Sequence, residues 1–425
     1  MNTYDPRQYS LVPLGEDRLA DMTDLDAWAF INPATIEQLM AMRPAYPHHW
    51  GRAYGMVTPD GRLVAEHESY AWGRFPVPGG FVPAAGLTGV GVHPEHRRRG
   101  LLRGMITAHL AQCAERGEAV SVLDASEPGI YGRFGYGTAC YHLNVTVPRG
   151  AALRPVPGSD QVTVRIDHAD PEKYAEAVAT VQREAAWAAG LVRPGWTAWD
   201  TPDVAALVFR DPPEFRHGHE PLRLMLAERD GHPVGYALFH RKENWVDANP
   251  RGEVAVTQLA YTQPAAAHAL WSRLLDLDLT STVKAELLPV DDPLLGLLVD
   301  QRAAVPKVCD NLWVRVIDIP RALAGRQYQA NVDVVLEVAD ALVPANAGRW
   351  RLRASAFSNG AEVARTDASP DLTLDVRELG AAYLGGTSLA ALAAGGLLEA
   401  RSPQVLAAAS AAFSWPIAPA VNWVF

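Results

Sequence analysis

Val90–Met105 reads VGVHPEHRRRGLLRGM, three arginines running into Gly100 on the threshold of an apolar pattern. From Leu101 the apolar residues Leu102, Met105, Leu110 and Cys113, with Ile106 and His109 between, keep helical spacing until Arg116-Gly117. LTGVGV (Leu87–Val92) before the turn and AVSVLD (Ala119–Asp124) after the helix both read as strands. The order strand, helix, strand predicts a parallel β-α-β unit with a right-handed crossover. A glycine-bearing turn at that point leaves backbone N–H groups unpaired and aimed outward. The helix dipole adds about half a positive charge there. Such a threshold suits an anion, most often phosphate. Arg97, Arg98 and Arg99 add charge and bidentate donors at its rim. Taken alone, RRRG reads more readily as a solvated basic turn.

The rest of the chain narrows the setting. Its 425 residues exceed one core, so two or three domains are expected. A net charge of −10 argues against non-specific nucleic-acid binding, which needs a broad basic face. Cys113, Cys140 and Cys309 are scattered, suggesting neither a zinc knuckle nor a disulfide framework. MNTYDPRQYS lacks the layout of a signal peptide, and no apolar run is long enough to span a bilayer. A cytoplasmic protein with no membrane partner is expected.

Residues 1–148 read as mixed α/β, with a hairpin turn at Pro59-Asp60-Gly61. Val147–Asp160, rich in Pro, Gly and Ser, reads as a linker. Beyond it the order recurs: strand-turn-strand over Arg223–Lys242, a strand at Val254–Thr262, a helix at Pro264–Asp278 and a strand at Ala285–Val290. Residues 149–304 are therefore read as a duplicate of the first domain. Residues 305–425 read as a compact α+β domain, with strands in DVVLEVAD, RWRLRASA and DLTLDV and helices toward the end. The expected fold class is α/β and α+β.

The spacing V-x-V-x-P-x-x-R-R-R-G-L-L-R resembles the acetyl-coenzyme-A loop of the GNAT N-acetyltransferases, written Q/R-x-x-G-x-G/A. Leu102 stands where that motif has Gly or Ala, a departure typical of one branch, the enhanced intracellular survival (Eis) acetyltransferases. LDASEPGIYGRFGYG (Leu123–Gly137) resembles the same branch, with Tyr131 three residues before Phe134-Gly135-Tyr136. The third domain, with DLTLDVRELGAAYLGG, looks like a sterol-carrier-protein fold. The resemblance thus implies two tandem GNAT-like domains, the second degenerate, followed by a sterol-carrier-protein-like domain.

It also implies acetyl-CoA as co-substrate. Arg98, Arg99, Gly100, Leu101, Leu102 and Arg103 match the family's pyrophosphate turn, Val90, Gly91 and Val92 its pantetheine strand, and Ser126 and Glu127 its remaining cofactor contacts. Pantetheine is an amide chain, which a strand edge pairs with as with another strand. Tyr131 matches the family's general acid, with Tyr136 the rival donor, and the terminal carboxylate of Phe425 its base. The second turn, YTQPAAAHALW (Tyr261–Trp271), has neither arginine nor glycine, so no cofactor is expected there.

No metal site is read from the thirteen histidines, among them His93 and His96 flanking the turn. Asp124 is read as structural support. Trp28 and Phe30 are candidate substrate-pocket residues, with Asp24 and Asp26 behind them. The resemblance implies an amine substrate, an aminoglycoside or a lysine side chain, and a homohexamer. A non-catalytic acyl-CoA or lipid-binding protein is the alternative, and so is a fold that kept the cofactor and lost turnover.

Overall fold

The computed structural model describes residues 4–42, 49–188, 190–197 and 207–425. The chain divides into two compact units, Met1–Cys140 with Asn311–Pro419 and Val424–Phe425, and Tyr141–Asp310 with Ala420–Trp423.

The strands of the three large sheets are numbered here in chain order. The first unit holds β1 (Ser10–Pro13), β2 (Tyr54–Val57), β3 (Leu63–Val77), β4 (Gly80–Val92), β5 (Val120–Asp124) and β6 (Gly137–Thr138). With β14 (Leu312–Val316) they form a seven-stranded sheet in the order β1-β2-β3-β4-β5-β14-β6. Every neighbouring pair is antiparallel except β4 and β5, which run parallel. The crossover between them is the helix Leu101–Glu115, which buries Leu101, Met105, Ile106, His109, Leu110 and Cys113. The β-α-β unit expected from the opening stretch is therefore present.

The second unit holds β7 (Tyr141–Pro148), β8 (Thr163–His168), β9 (Arg223–Arg229), β10 (His232–Lys242), β11 (Gly252–Tyr261), β12 (Thr280–Pro289) and β13 (Lys307–Asp310). Read from the other edge, their order is β8-β9-β10-β11-β12-β7-β13, again with one parallel pair, β11 and β12, bridged by the helix Pro264–Leu274. Position for position this repeats the first sheet. The sixth place in each, however, is filled from elsewhere in the chain. β7, whose last residues were expected to open a linker, pairs with β12 and β13. β14, expected in the third domain, pairs with β5 and β6. Boundaries expected at 148 and 305 thus differ from the ladders, which change sheet at about 140 and 310. Composition marks loops; it does not mark which sheet an apolar strand joins.

Within the first unit, β15 (Val332–Ala339), β16 (Gly348–Ala354), β17 (Glu362–Arg365), β18 (Leu372–Asp375) and β19 (Leu398–Ala400) form a second sheet, β17-β16-β15-β18-β19. Helices Val376–Ala382, Leu389–Ala394 and Pro403–Phe413 accompany it. SLAALAAGGLLEA, in the part expected to form helices or helix pairs, is helical over Leu389–Ala394, breaks at Gly395-Gly396 and ends as β19. The fully buried Arg326 guanidinium lies among these helices, donating to the carbonyls of Ala382, Tyr383 and Phe413. Its neighbours are the rings of Tyr328 and Phe413, 4.8 and 5.0 Å away. Two helix C-termini supply the negative end that this cation needs.

Candidate active site

β4 and β5 pair only over Ala84–Gly86 against Val120–Val122. From Leu87 onward β4 keeps its ladder with β3 alone, where the register slips between Glu66 and Glu68. The extra residue falls on β4 beside Gly89, whose φ is +57°. Leu87–Val92 therefore runs past the end of its parallel pairing, leaving an edge that fits a chain of amides. Val90 and Val92 are half-buried and Gly91 is buried on this stretch.

At its end the backbone turns through two left-handed residues, Arg98 (φ +61°) and Gly100 (φ +85°). Gly100 takes that conformation without steric cost, whereas an L-residue pays about 1–2 kcal/mol. The first helical bond runs from Gly104 N–H to Gly100 O at 3.0 Å. The amides of Leu101, Leu102 and Arg103 thus precede the first partner the helix can offer, and together with the turn they have the arrangement that suits an anion. Arg97 and Arg98 are exposed at its rim. Arg99 turns back to donate to Tyr9 Oη (3.0 Å) and the Glu95 carbonyl (3.2 Å), and Tyr9 Oη meets His96 Nδ1 at 2.9 Å.

Ligand atoms of His93, Glu95 and His96 lie within 4.8 Å of one another, a trio that motif spacing did not reveal. The local charge opposes a cation. Arg62 Nη2 is 3.1 Å from His93 Nε2, and burial, then Arg99, His93 and Arg62, hold His96 below the usual histidine value. The surroundings suit a phosphate better.

Tyr131 sits in one core cluster with Ala85, Leu87, Ile106 and Leu110, against which Val90 and Leu102 pack. Strand, turn and tyrosine therefore converge. Burial and then the Glu127 charge push the Tyr131 phenol up to about 12. Ser126 and Glu127 are exposed just before it, and the Arg103 guanidinium lies 5.8 Å from the Phe134 ring. The rival, Tyr136, is fully buried with its hydroxyl bonded to Ser121 Oγ at 2.8 Å, which in turn meets His109 Nε2 at 2.8 Å. Its ring braces Tyr131, centroids 6.0 Å apart.

Phe425 stands against β3, its ring 4.9 Å from that of Trp72 and 6.0 Å from that of Tyr70. Trp72 lies over Gly86 of β4, where an added Cβ would come 2.4 Å from the indole. Tyr70 and Trp72 share their sheet face with Glu68 and Glu66, because strand side chains alternate. His67, pointing the other way, meets the His109 ring of the crossover helix at 5.7 Å. Composition and motif matching passed over this acidic-aromatic row, though its period-two spacing was there to read. Trp28 is 59 % exposed and lies 5.3 Å from the ring of His93, which precedes the arginine turn; Phe30, 37 % exposed, follows just past the helix Leu19–Ala29. Neither meets Phe425 in a ring contact. Asp24 is exposed and Asp26 half-buried on the same helix. Asp124 closes β5 opposite Leu312.

In the second unit the matching turn has Gln263 in extended conformation and Pro264 at the first helical position. No left-handed residue opens it, and proline has no N–H to offer. Tyr261 donates to Asp292, both of them beyond the paired part of the strands β11 and β12.

Residues 11–139 match the acetyltransferase (GNAT) domain family, residues 191–316 a second acetyltransferase (GNAT) family, and residues 319–422 the sterol carrier protein domain family. An uncharacterized N-acetyltransferase of Streptomyces avermitilis is 44 % identical over 354 residues, covering 81 % of this chain and 83 % of its own. N-acetyltransferase Eis of Mycobacterium tuberculosis is 35 % identical over 354 residues, covering 80 % and 81 %. The chain belongs to the Eis-like N-acetyltransferases. The crystal structure of Eis1 from Mycobacterium abscessus superimposes on this Eis-like chain with a TM-score of 0.79 at 31 % identity, covering 98 % of this chain and 100 % of that one. Tandem GNAT domains and a sterol-carrier-like domain follow in the expected order, and acetyltransferase chemistry of the GNAT type follows with them. Among the described residues no helix is long and apolar enough to cross a membrane.

Proposed function

We propose that the chain transfers acetyl from acetyl-CoA to primary amines, with Tyr131 as acid and the Phe425 α-carboxylate as base. The observation that carries this reading is the seat of Phe425 on Trp72 and Tyr70, on the sheet that also presents the arginine turn. Arg98 through Arg103 would hold the diphosphate, the Leu87–Val92 edge the pantetheine arm, and Ser126 and Glu127 its remaining contacts. Lacking such a turn, the second GNAT unit would serve as scaffold.

The amine nitrogen attacks the thioester carbonyl, the carbon–sulfur bond breaks, and an N-acetyl amide and a thiol result. The nitrogen's proton passes to the Phe425 carboxylate, directly or through water. An α-carboxylate has a pKa of about 3.5 in water and becomes a usable base only where it is desolvated. The aromatic seat supports that. Tyr131 supplies the sulfur's proton. With its phenol at about 12 it stays protonated throughout the neutral range. The near-match with a thiol that an unperturbed tyrosine would give is lost, since full transfer to an ordinary thiolate (pKa about 8.5) is uphill by roughly 5 kcal/mol. Desolvation of the sulfur in the same cluster raises its affinity for the proton and offsets that cost. Glu66 and Glu68, on the Phe425 face, support a cationic acceptor such as an aminoglycoside or a lysine side chain. The reading is tested with acetyl-CoA and a panel of aminoglycosides, polyamines and lysine peptides, followed by mass. One added acetyl mass on an amine is expected; none on any member, with the cofactor bound, would overturn it.

A further inference from the structure

Tyr131 opens a tight turn whose other end is tied to a buried ion pair. Phe134 N–H donates back to the Tyr131 carbonyl at 2.9 Å, and Gly135 follows in left-handed conformation. The Phe134 carbonyl accepts from Arg315 Nε at 2.9 Å. Arg315 lies on β14, opposite Ser121 of β5, with no exposed surface. Its Nη1 donates to the Val316 carbonyl at 2.7 Å, and Nη2 to both oxygens of Asp340 at 2.7 and 2.8 Å. Asp340, just beyond the end of β15 in the sterol-carrier-like domain, is saturated in turn. Its oxygens accept from the amides of Leu342 and Val343 and from Asn346 Nδ2, at 2.9 to 3.1 Å.

A buried ion pair of this kind carries a large desolvation cost and is not in itself evidence of stability. Here each donor has a defined target, and one target is the peptide three residues from the tyrosine. We propose that Arg315, oriented by Asp340, is a positioning residue for Tyr131, so that the sterol-carrier-like domain sets the geometry of the acid in the GNAT domain. This rests on the reading of Tyr131 as the acid. The Gly135 position shows how closely turn and clamp fit: a Cβ there would lie 2.7 Å from Arg315 Nε and 2.9 Å from Val376 Cγ1.

The test uses the full chain as Asp340→Asn, which keeps shape and removes charge, and as Gly135→Ala, whose Cβ presses turn and Arg315 apart while both charges of the pair remain. Each is made with and without Tyr131→Phe. Amide hydrogen exchange should quicken in the 131–136 peptide, while exchange in the crossover helix stays as it was. With the acceptor turned over fastest in the amine panel, kcat should fall on the order of ten- to a hundredfold, as a misplaced group implies, with the acetyl-CoA KM within about twofold. In the Tyr131→Phe background the same substitutions should cost nothing further, because coupled sites are non-additive. Equal losses in both backgrounds, or unchanged exchange at 131–136, would overturn the proposal. Should Tyr131→Phe alone leave kcat intact, the acid assignment fails, and the exchange measurement still decides whether the clamp holds the turn. If Asp340→Asn does not fold, Gly135→Ala carries the test.

Discussion

The ring of Phe425 meets the indole of Trp72 edge-on, centroids 4.9 Å apart and planes at 87°. Edge-to-face pairs of this kind contribute about 0.5–1.5 kcal/mol beyond their buried area. That is enough to seat a terminal residue whose immediate neighbour, Val424, is 57 % exposed.

Extending the chain past Phe425 by three glycines should therefore abolish most turnover while leaving the melting temperature within a few degrees, since only the carboxylate moves. Trp72→Ala should lower kcat less severely, by loosening the seat. Full activity in the extended protein, measured with the same acceptor, would refute the base assignment.

Tyr131→Phe is expected to lower kcat on the order of a hundredfold with little change in acetyl-CoA affinity, the range for loss of a general acid. Burial and the Glu127 charge both raise the Tyr131 pKa, so the protonated acid persists well above neutrality. Glu127→Gln should move tyrosinate formation at Tyr131 to lower pH, read by ultraviolet difference titration against Tyr131→Phe. A shift to higher pH would contradict the electrostatic cause.

At the turn, Gly100→Val forces a β-branched residue into φ near +85°. A strain of about 1–2 kcal/mol, met by moving the amides off the phosphate position, corresponds to roughly a tenfold rise in acetyl-CoA Kd. Isothermal titration checks it. Unchanged affinity would mean that the turn does not hold the cofactor.

Asp292 offers a stability test in the second unit. Burial raises its carboxyl to about 6 against an ordinary 3.8, even though Tyr261 donates to it. A raised carboxyl pKa means that the folded state keeps a proton the unfolded state has lost. The contribution of this group to stability is then greatest below about pH 4, falls as pH rises to about 6 and is flat above. Asp292→Asn should remove that fall and gain up to about 3 kcal/mol at pH 7.5, with no gain at pH 3.5. Urea unfolding at the two pH values gives the answer.

The sterol-carrier-like domain should take up no fluorescent fatty acid after delipidation, because Arg326 places a guanidinium, not apolar surface, among its helices. Saturable uptake would restore the lipid-binding alternative.

Much of this was legible in the residues. The period of Leu101–Cys113, the arginine turn and the YGRFGYG segment marked the crossover helix, the left-handed turn that opens it and the position of Tyr131, because helical spacing, a glycine needing positive φ and a strand-ending motif are all local. The duplication was legible for the same reason: each copy repeats its own hairpin and crossover within a few dozen residues. Tertiary structure alone decided which sheet Tyr141–Pro148 and Leu312–Val316 would join, since an apolar strand carries no label for its partner. It alone tied the Tyr136 hydroxyl to Ser121, and it alone brought Phe425 to Trp72 and Arg315 to the Phe134 carbonyl. Those contacts span from fifteen to more than three hundred positions of chain, and no periodicity reaches across such intervals. Only the packing of the folded chain selects them.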